Sequence, residues 1–272
     1  MTSTADLSAD LDLALQLATL GDAIAMYRFR AEDLVVETKP DLTPVSEADR
    51  AVERALRDHL SVHRPDDAIL GEEYGTAGAA SRTWVIDPID GTKNYVRGVP
   101  VWAVLVALLV DGDPVVGVVS APALGRRWWA AAGSGAWATD PSSPEPRRLR
   151  VSAVADLADA SFSYSDAQGW AERGAGDGLA TLLDGTWRQR AYGDFWSHML
   201  VAEGAVDVAA EPHLETYDMA ALVPVVREAG GLLTSFDGGD ALVGGSALST
   251  NGLLHAGVVS LLGQGASADV TR

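Results

Sequence analysis

The spacing of apolar residues changes character several times along this chain. Between residues 8 and 30 they recur at helical intervals, with Leu11, Leu15, Ala18 and Met26 on roughly one side and Ser8 placed to cap the segment. A second helix is predicted over about 47–62, with Ala48, Val52, Ala55, Leu56 and Leu60 on its inner stripe. Ser46 and Asp49 stand at its N-cap and N3 positions, close to a capping box. Between the two lies KPDLTPVSEADR, a loop with two prolines. DAILGEEYG then reads as a short strand opening into a polar loop, and TWVI as a strand ending at Asp87, with a short helical segment after Gly91. Three β-rich stretches follow at 101–110, 115–120 and 126–132, with turns at DGDP and GSGA. VWAVLVALLV, residues 101–110, is apolar throughout, but ten residues bounded by Pro100 and Asp111 are too few to span a bilayer, so a buried strand is expected.

TDPSSPEPRR, residues 139–148, reads as a linker between two halves, 1–140 and 141–272. The second half alternates predicted helices at 167–184, 194–204, 217–229 and 252–262 with strands at 188–192, 205–210, 231–236 and 247–250. Trp128 and Trp129 in RRWW are expected on opposite faces of a strand. FDGGDALVGGS is a turn region, since it lacks the strand and helix that flank a dinucleotide fingerprint.

Composition narrows the partners. The chain has 272 residues, 47% hydrophobic and 21% charged, which is ordinary globular composition. It has no cysteine, which excludes disulfides and thiolate metal sites. A net charge of −18 argues against nucleic acid and anionic membranes as partners, and equally against a phosphorylated metabolite unless cations intervene. The N-terminal MTSTADLSADLDLAL lacks the basic region of a signal peptide, so a cytoplasmic location is expected.

Four acidic places stand out: Glu72 and Glu73 after Gly71, Asp87 and Asp90 around a Pro-Ile step, Asp218 opening DMAALVPVVREAGG, and Asp49 in the first turn of its helix. Each taken alone is explained by a cap or a turn. Together they occupy strand C-termini and helix N-termini, where α/β proteins gather ligands. Hard oxygen donors without cysteine or neighbouring histidine suit Mg²⁺, Mn²⁺ or Ca²⁺ rather than zinc, and the Ile89 carbonyl is a further candidate donor.

KPDLTPVSEAD, GEE, WVIDPIDGTKNY and YDMAALVPVVREAGG resemble the signature segments of the inositol monophosphatase family, in order and spacing, over nearly the whole chain. The resemblance implies a layered α-β-α-β-α sandwich of the inositol monophosphatase/fructose-bisphosphatase type. It implies two or three Mg²⁺ per site, with Mn²⁺ as a substitute, held by Glu72, Asp87, the Ile89 carbonyl, Asp90 and Asp218. It implies phosphate binding by the backbone at Gly91 and Thr92, and Asp49, Thr92 and Glu72 as catalytic residues, with Asp49 and Thr92 orienting the attacking water. Lys39 lies near the site on this pattern, while Glu73 has no role and is expected to be solvated or behind the ligands. A homodimer acting on a small phosphorylated metabolite is implied as well. About five carboxylates and the roughly two charges of a phosphomonoester approach neutrality only with about four to six positive charges from metal.

Two segments resemble the histidinol-phosphate phosphatase branch: DGTKNYVRGVPVWAVLVAL, with Lys93 after the threonine, and RAYGDFWSHMLVAEGAVDVAAEP at 190–212. Histidinol carries an ammonium and an imidazole, whereas inositol carries only hydroxyls. On that resemblance the Y-G-D stretch and Glu211 line the pocket for the alcohol, which makes Asp194 and Glu211 candidates for the cation and Tyr192, Phe195 or Trp196 for the ring. Arg190 is a candidate for the phosphate or simply ends a strand on the surface. Phe195, Trp196, Met199 and Leu200 equally make a buried helix stripe. Of the five histidines none is read as a metal ligand, and His213 lies near the pocket by order alone. The alternatives are an inositol-1-phosphate phosphatase, a dual inositol/fructose-bisphosphatase, and a non-catalytic metal- or phosphate-binding relative.

Overall fold

The computed structural model describes residues 4–39, 43–165 and 167–263, so Pro40, Asp41 and Leu42 of the expected loop lie outside the described residues. The chain divides into two compact units: Met1–Arg148 with Ala220–Val225, and Leu149–Met219 with Val226–Arg272. No helix among the described residues is long and apolar enough to cross a membrane.

The first unit begins with α1 (Thr4–Arg28), followed by β1 (Val36–Thr38), β2 (Pro44–Ser46) and α2 (Glu47–His63). Then come β3 (Ala68–Gly71), β4 (Gly75–Ala77), β5 (Arg82–Asp90), α3 (Thr92–Val96), β6 (Ala103–Val110), β7 (Asp113–Ala121), β8 (Arg126–Ala131), β9 (Ala136–Asp140) and β10 (Ser143–Arg148). Eight strands form one sheet in the order β10-β9-β8-β7-β6-β5-β3-β4, with β3 parallel to β5 and every other neighbour antiparallel. The apolar run at 101–110 becomes the central strand β6, buried over its first six residues, as its composition demands. Leu17 and Ala18 of α1 and Val52, Leu56 and Leu60 of α2 share a core with Trp84, Ile86, Val104 and Val106 of the sheet.

Several local expectations are corrected. Ser8 lies inside α1 rather than at its cap, and Met26 is exposed; the buried stripe runs through Leu7, Leu13, Ala14, Leu17, Ala18 and Ala25. The linker-like 139–148 instead forms the end of β9, a tight turn and β10, because Asp140 Oδ1 accepts from the N–H of Ser142 at 2.8 Å and closes the turn.

The second unit holds β11 (Ser161–Ser163), α4 (Gly176–Gly185), β12 (Arg188–Arg190), α5 (Asp194–Ala202), β13 (Val208–Glu211) and α6 (Thr216–Met219). After α7 (Leu222–Glu228) come β14 (Leu232–Thr234), α8 (Ala241–Gly244), β15 (Ala247–Thr250) and α9 (His255–Gly263). Its sheet has the order β12-β11-β13-β15-β14, with β11 parallel to both neighbours and β15 antiparallel to both of its own. Phe162, Val208, Leu248, Leu182 and Val258 build its core.

The helix expected at 167–184 is confined to α4, with left-handed Gly169 and Gly174 in the turns before it. The helix expected at 217–229 is broken into α6 and α7. Pro224 supplies the reason: it has no N–H for the carbonyl of Ala220, and its ring disfavours that carbonyl's helical position. The freed backbone at Ala221 approaches β7 so closely that a Cβ on Gly117 would lie 2.2 Å from the Ala221 carbonyl oxygen.

Candidate active site

Three residues apart on a regular strand, Asp87 and Asp90 would face opposite sides of the sheet. They do not, because β5 bulges between them. Asp87 pairs with Leu105 and Asp90 with Ala103, so three steps of β5 face two of β6. The bulge resets the alternation, and one carboxylate oxygen of each aspartate lies within 4.8 Å of the other. Pro88, which has no N–H to give a ladder, sits inside the irregularity. Asp87 Oδ1 also accepts the N–H of Ile89 at 3.0 Å, which ties the turn to the strand end.

Gly91 follows with φ 83°, a left-handed conformation that suits glycine, and turns the chain into α3. This places the Thr92 hydroxyl 3.0 Å from the Ile89 carbonyl and 3.2 Å from Asp49 Oδ1. The predicted capping box is present: Asp49 Oδ2 accepts from the N–H and the hydroxyl of Ser46 at 2.8 and 2.5 Å. One oxygen of Asp49 is thus fixed to the helix start while the other faces Thr92. Asp49 is fully buried, and burial raises its carboxyl above the ordinary range against the opposing pull of these hydrogen bonds.

Asp49, Glu72 and Glu73 each bring one oxygen within 4.8 Å of the others. Lys39 pairs with both glutamates, at 2.7 Å each. Burial works against its ammonium, but the hydrogen bonds to Glu72 and Glu73 outweigh that and lift Lys39 above its ordinary range. Glu73 is not solvated: its side chain is 5% exposed, and burial raises its carboxyl in spite of Lys39.

The turn that carries these glutamates rests on a residue the sequence reading passed over. Glu53 of α2 is fully buried and accepts the N–H of Glu73 at 2.6 Å, the N–H of Tyr74 at 3.2 Å and the Nε of Arg57 at 2.7 Å. It lies so tightly beneath β3 that a Cβ on Gly71 would meet its Oε1 at 2.0 Å. A signal was present, since Glu53 falls one turn after Asp49 on the stripe that Leu56 and Leu60 share. An acid on a buried stripe needs partners.

In the second unit, Glu211 ends β13 and is 4% exposed. Asp194 opens α5 with φ 49° directly after Gly193 at φ 76°. The N–H of Gly193 donates to Ser197 Oγ at 2.9 Å, and Ser197 meets Ser163 at 2.7 Å, so this unusual backbone is pinned from below. Asp218 occupies the third position of α6, where its Oδ2 accepts the N–H of Glu215 at 2.7 Å. Arg190 ends the edge strand β12, exposed, with its guanidinium on the carbonyl of Gln189 at 2.6 Å. Phe195 and Met199 are buried, while Tyr192 and Trp196 are half-buried with ring centroids 5.3 Å apart. His213 is largely exposed, 3.9 Å from Glu172. His198, given no role from sequence, is fully buried behind Glu211.

The donors fit a hard divalent cation. Asp49, Glu72 and Glu73 form one group of carboxylates, Asp87 and Asp90 converge in another, and Lys39 pairs with Glu72 and Glu73.

The sequence profile of the inositol monophosphatase family matches residues 6–266. The chain is 58% identical over 257 residues to a histidinol-phosphatase of Mycobacterium tuberculosis, covering 94% of this chain and 98% of that protein. It is 56% identical over 259 residues to a histidinol-phosphatase of Streptomyces coelicolor, covering 94% and 97%. Among solved structures, the extragenic suppressor protein SuhB of Bartonella henselae superposes with a TM-score of 0.84 at 29% identity, over 94% of this chain and 99% of that one. A Thermotoga maritima IMPase gives 0.82 at 30% identity, over 95% and 98%. Profile, sequence and fold agree over nearly the full length, and this chain belongs to the inositol monophosphatase family.

Proposed function

We propose that this protein is a Mg²⁺-dependent phosphomonoesterase that hydrolyses L-histidinol phosphate to histidinol and phosphate, a step of histidine biosynthesis. The observation that carries the reading is the pairing of Thr92 with a buried Asp49 beside clustered carboxylates, in a chain 58% identical to a histidinol-phosphatase.

Glu72, Asp87, the Ile89 carbonyl, Asp90 and Asp218 are the proposed metal ligands, Asp218 on the family's pattern. Two or three Mg²⁺ bound by these residues would supply positive charge for the phosphate oxygens and would lower the pKa of a bound water. The protein's own groups do the rest. Asp49 holds Thr92, which orients the attacking water; as the water gives a proton to Thr92 Oγ1, Thr92 passes its own to Asp49 Oδ1. Burial makes Asp49 a stronger base than an exposed carboxylate. The backbone at Gly91 and Thr92 is proposed to receive the phosphate. Asp194, Glu211 and Arg190 are proposed to select the alcohol and orient the ester, and the working unit is proposed to be a cytoplasmic homodimer.

The test is phosphate release from histidinol phosphate, inositol-1-phosphate and fructose-1,6-bisphosphate, side by side with Mg²⁺, Mn²⁺ and EDTA. Histidinol phosphate should give the highest kcat/KM, and EDTA should abolish release. If inositol-1-phosphate is hydrolysed as well or better, the substrate assignment fails; if release continues in EDTA, the metal assignment fails.

A further inference from the structure

Behind Glu211 the second unit contains a polar group that its fold does not explain. His198 on α5 is fully buried, and its Nδ1 meets the hydroxyl of Ser249 on β15 at 2.7 Å. Its Nε2 is buried and makes no hydrogen bond to any of the described residues. Glu211 Oε1 lies 3.9 Å from it. An imidazole placed only to fill this core would be replaced at less cost by leucine or methionine, because an unsatisfied buried N–H is destabilising.

The tautomer follows from the partners. Burial lowers the pKa of His198 to about 4, so the ring is neutral and carries one proton. If that proton were on Nδ1, a lone pair on Nε2 would face the carboxylate, and two negative regions would oppose each other. With Ser249 donating to Nδ1, the proton sits on Nε2 and its dipole points at Glu211.

We propose that His198 is a positioning residue for the alcohol pocket: anchored by Ser249, it directs its Nε2–H at Glu211 and fixes the carboxylate that receives the cationic end of the substrate. The proposal rests on the reading of Glu211 as the acid facing histidinol. A separation of 3.9 Å is about 1 Å beyond a normal hydrogen bond, so the proposed contact requires the Glu211 side chain to turn toward His198 by that amount. One carboxylate oxygen is then held by His198 while the other meets the ammonium. The neutral imidazole orients the Glu211 side chain without adding a charge of its own to the pocket.

The experiment compares a cationic ester, histidinol phosphate, with an uncharged one, p-nitrophenyl phosphate, in wild type, His198→Leu, His198→Gln and Glu211→Gln. The ratio of their kcat/KM values should fall about tenfold in His198→Leu, chiefly through the KM for histidinol phosphate. His198→Gln, which keeps a donor near the Nε2 position, should recover most of the ratio. Calorimetric binding of histidinol should weaken by a similar factor in His198→Leu. Equal losses for both esters, or an unchanged ratio, overturn the proposal. If Glu211→Gln also leaves the ratio unchanged, the reading of Glu211 falls with it; if Glu211→Gln lowers the ratio and His198→Leu does not, only His198 loses its role. Should His198→Leu fail to fold, Ser249→Ala carries the test. Loss of its hydroxyl should lower the ratio roughly threefold, and an unchanged ratio refutes the proposal.

Discussion

The hydroxyl of Thr92 stands 3.2 Å from Asp49 Oδ1, two residues 43 positions apart in the chain. Asp49 has no freedom to turn away, because Ser46 occupies its other oxygen with two hydrogen bonds. If this pair moves the proton of the attacking water, Thr92→Val should lower kcat by about 10²–10⁴-fold with a small effect on KM. Steady-state kinetics on histidinol phosphate measures this; a kcat within about twofold of wild type would contradict the proton role.

Asp90 shares a bulge with Asp87, and the two carboxylates converge there. Asp90→Asn keeps the shape and removes a charge. We expect weaker Mg²⁺ binding by isothermal titration and a kcat lower by on the order of 10²–10³-fold. Retention of both would refute Asp90 as a proposed metal ligand.

Glu53 touches none of the proposed reacting groups with its own carboxylate, yet it holds the N–H groups of Glu73 and Tyr74. Glu53→Gln should raise the Mg²⁺ concentration for half-maximal activity by about 10–100-fold, as loss of a supporting hydrogen bond does at other metal sites. Gly71→Ala should act in the same direction, because its Cβ would displace Glu53 Oε1. Mg²⁺ binding, followed by titration calorimetry, distinguishes this from a general loss of folded protein.

Stability should respond to His198 at mildly acid pH. Its folded pKa is about 4, below the unfolded value of about 6.5, so the unfolded chain takes up a proton first as pH falls. The stabilisation is complete above about 6.5 and is lost progressively down to about 4, on the order of 3 kcal/mol in all. Urea titrations at pH 7 and pH 5 should show a larger drop for wild type than for His198→Gln. Equal drops would mean that His198 titrates in the folded state much as it does in the unfolded chain.

Asp49 works in the opposite sense. Its folded pKa is raised by burial, so its carboxylate form is disfavoured by folding and is reached only as pH rises through that value. The acid limb of kcat should therefore lie above the ordinary carboxylate range and should vanish in Asp49→Asn, together with most of the activity. A pH–rate profile with its acid limb at an unperturbed carboxylate value would refute this.

The sequence by itself determined what depends on neighbours a few residues apart. The capping box of Ser46 and Asp49, the buried run that becomes β6 and the turn at Gly91 are each set by local spacing, and the structure contains all three. The family was legible for the same reason, since each of its signature segments, WVIDPIDGTKNY among them, is contiguous. Tertiary structure decided the rest. That Asp87 and Asp90 converge depends on the pairing of β5 with β6, where one extra residue reverses the facing of a side chain. That 143–148 is a strand depends on β9 lying beside it, which turns a proline-rich stretch into an edge. Glu53 beneath Glu73 and Ser249 behind His198 join positions 20 and 51 residues apart. Such contacts satisfy buried polar groups whose partners no local pattern names, and only the folded chain brings those partners together.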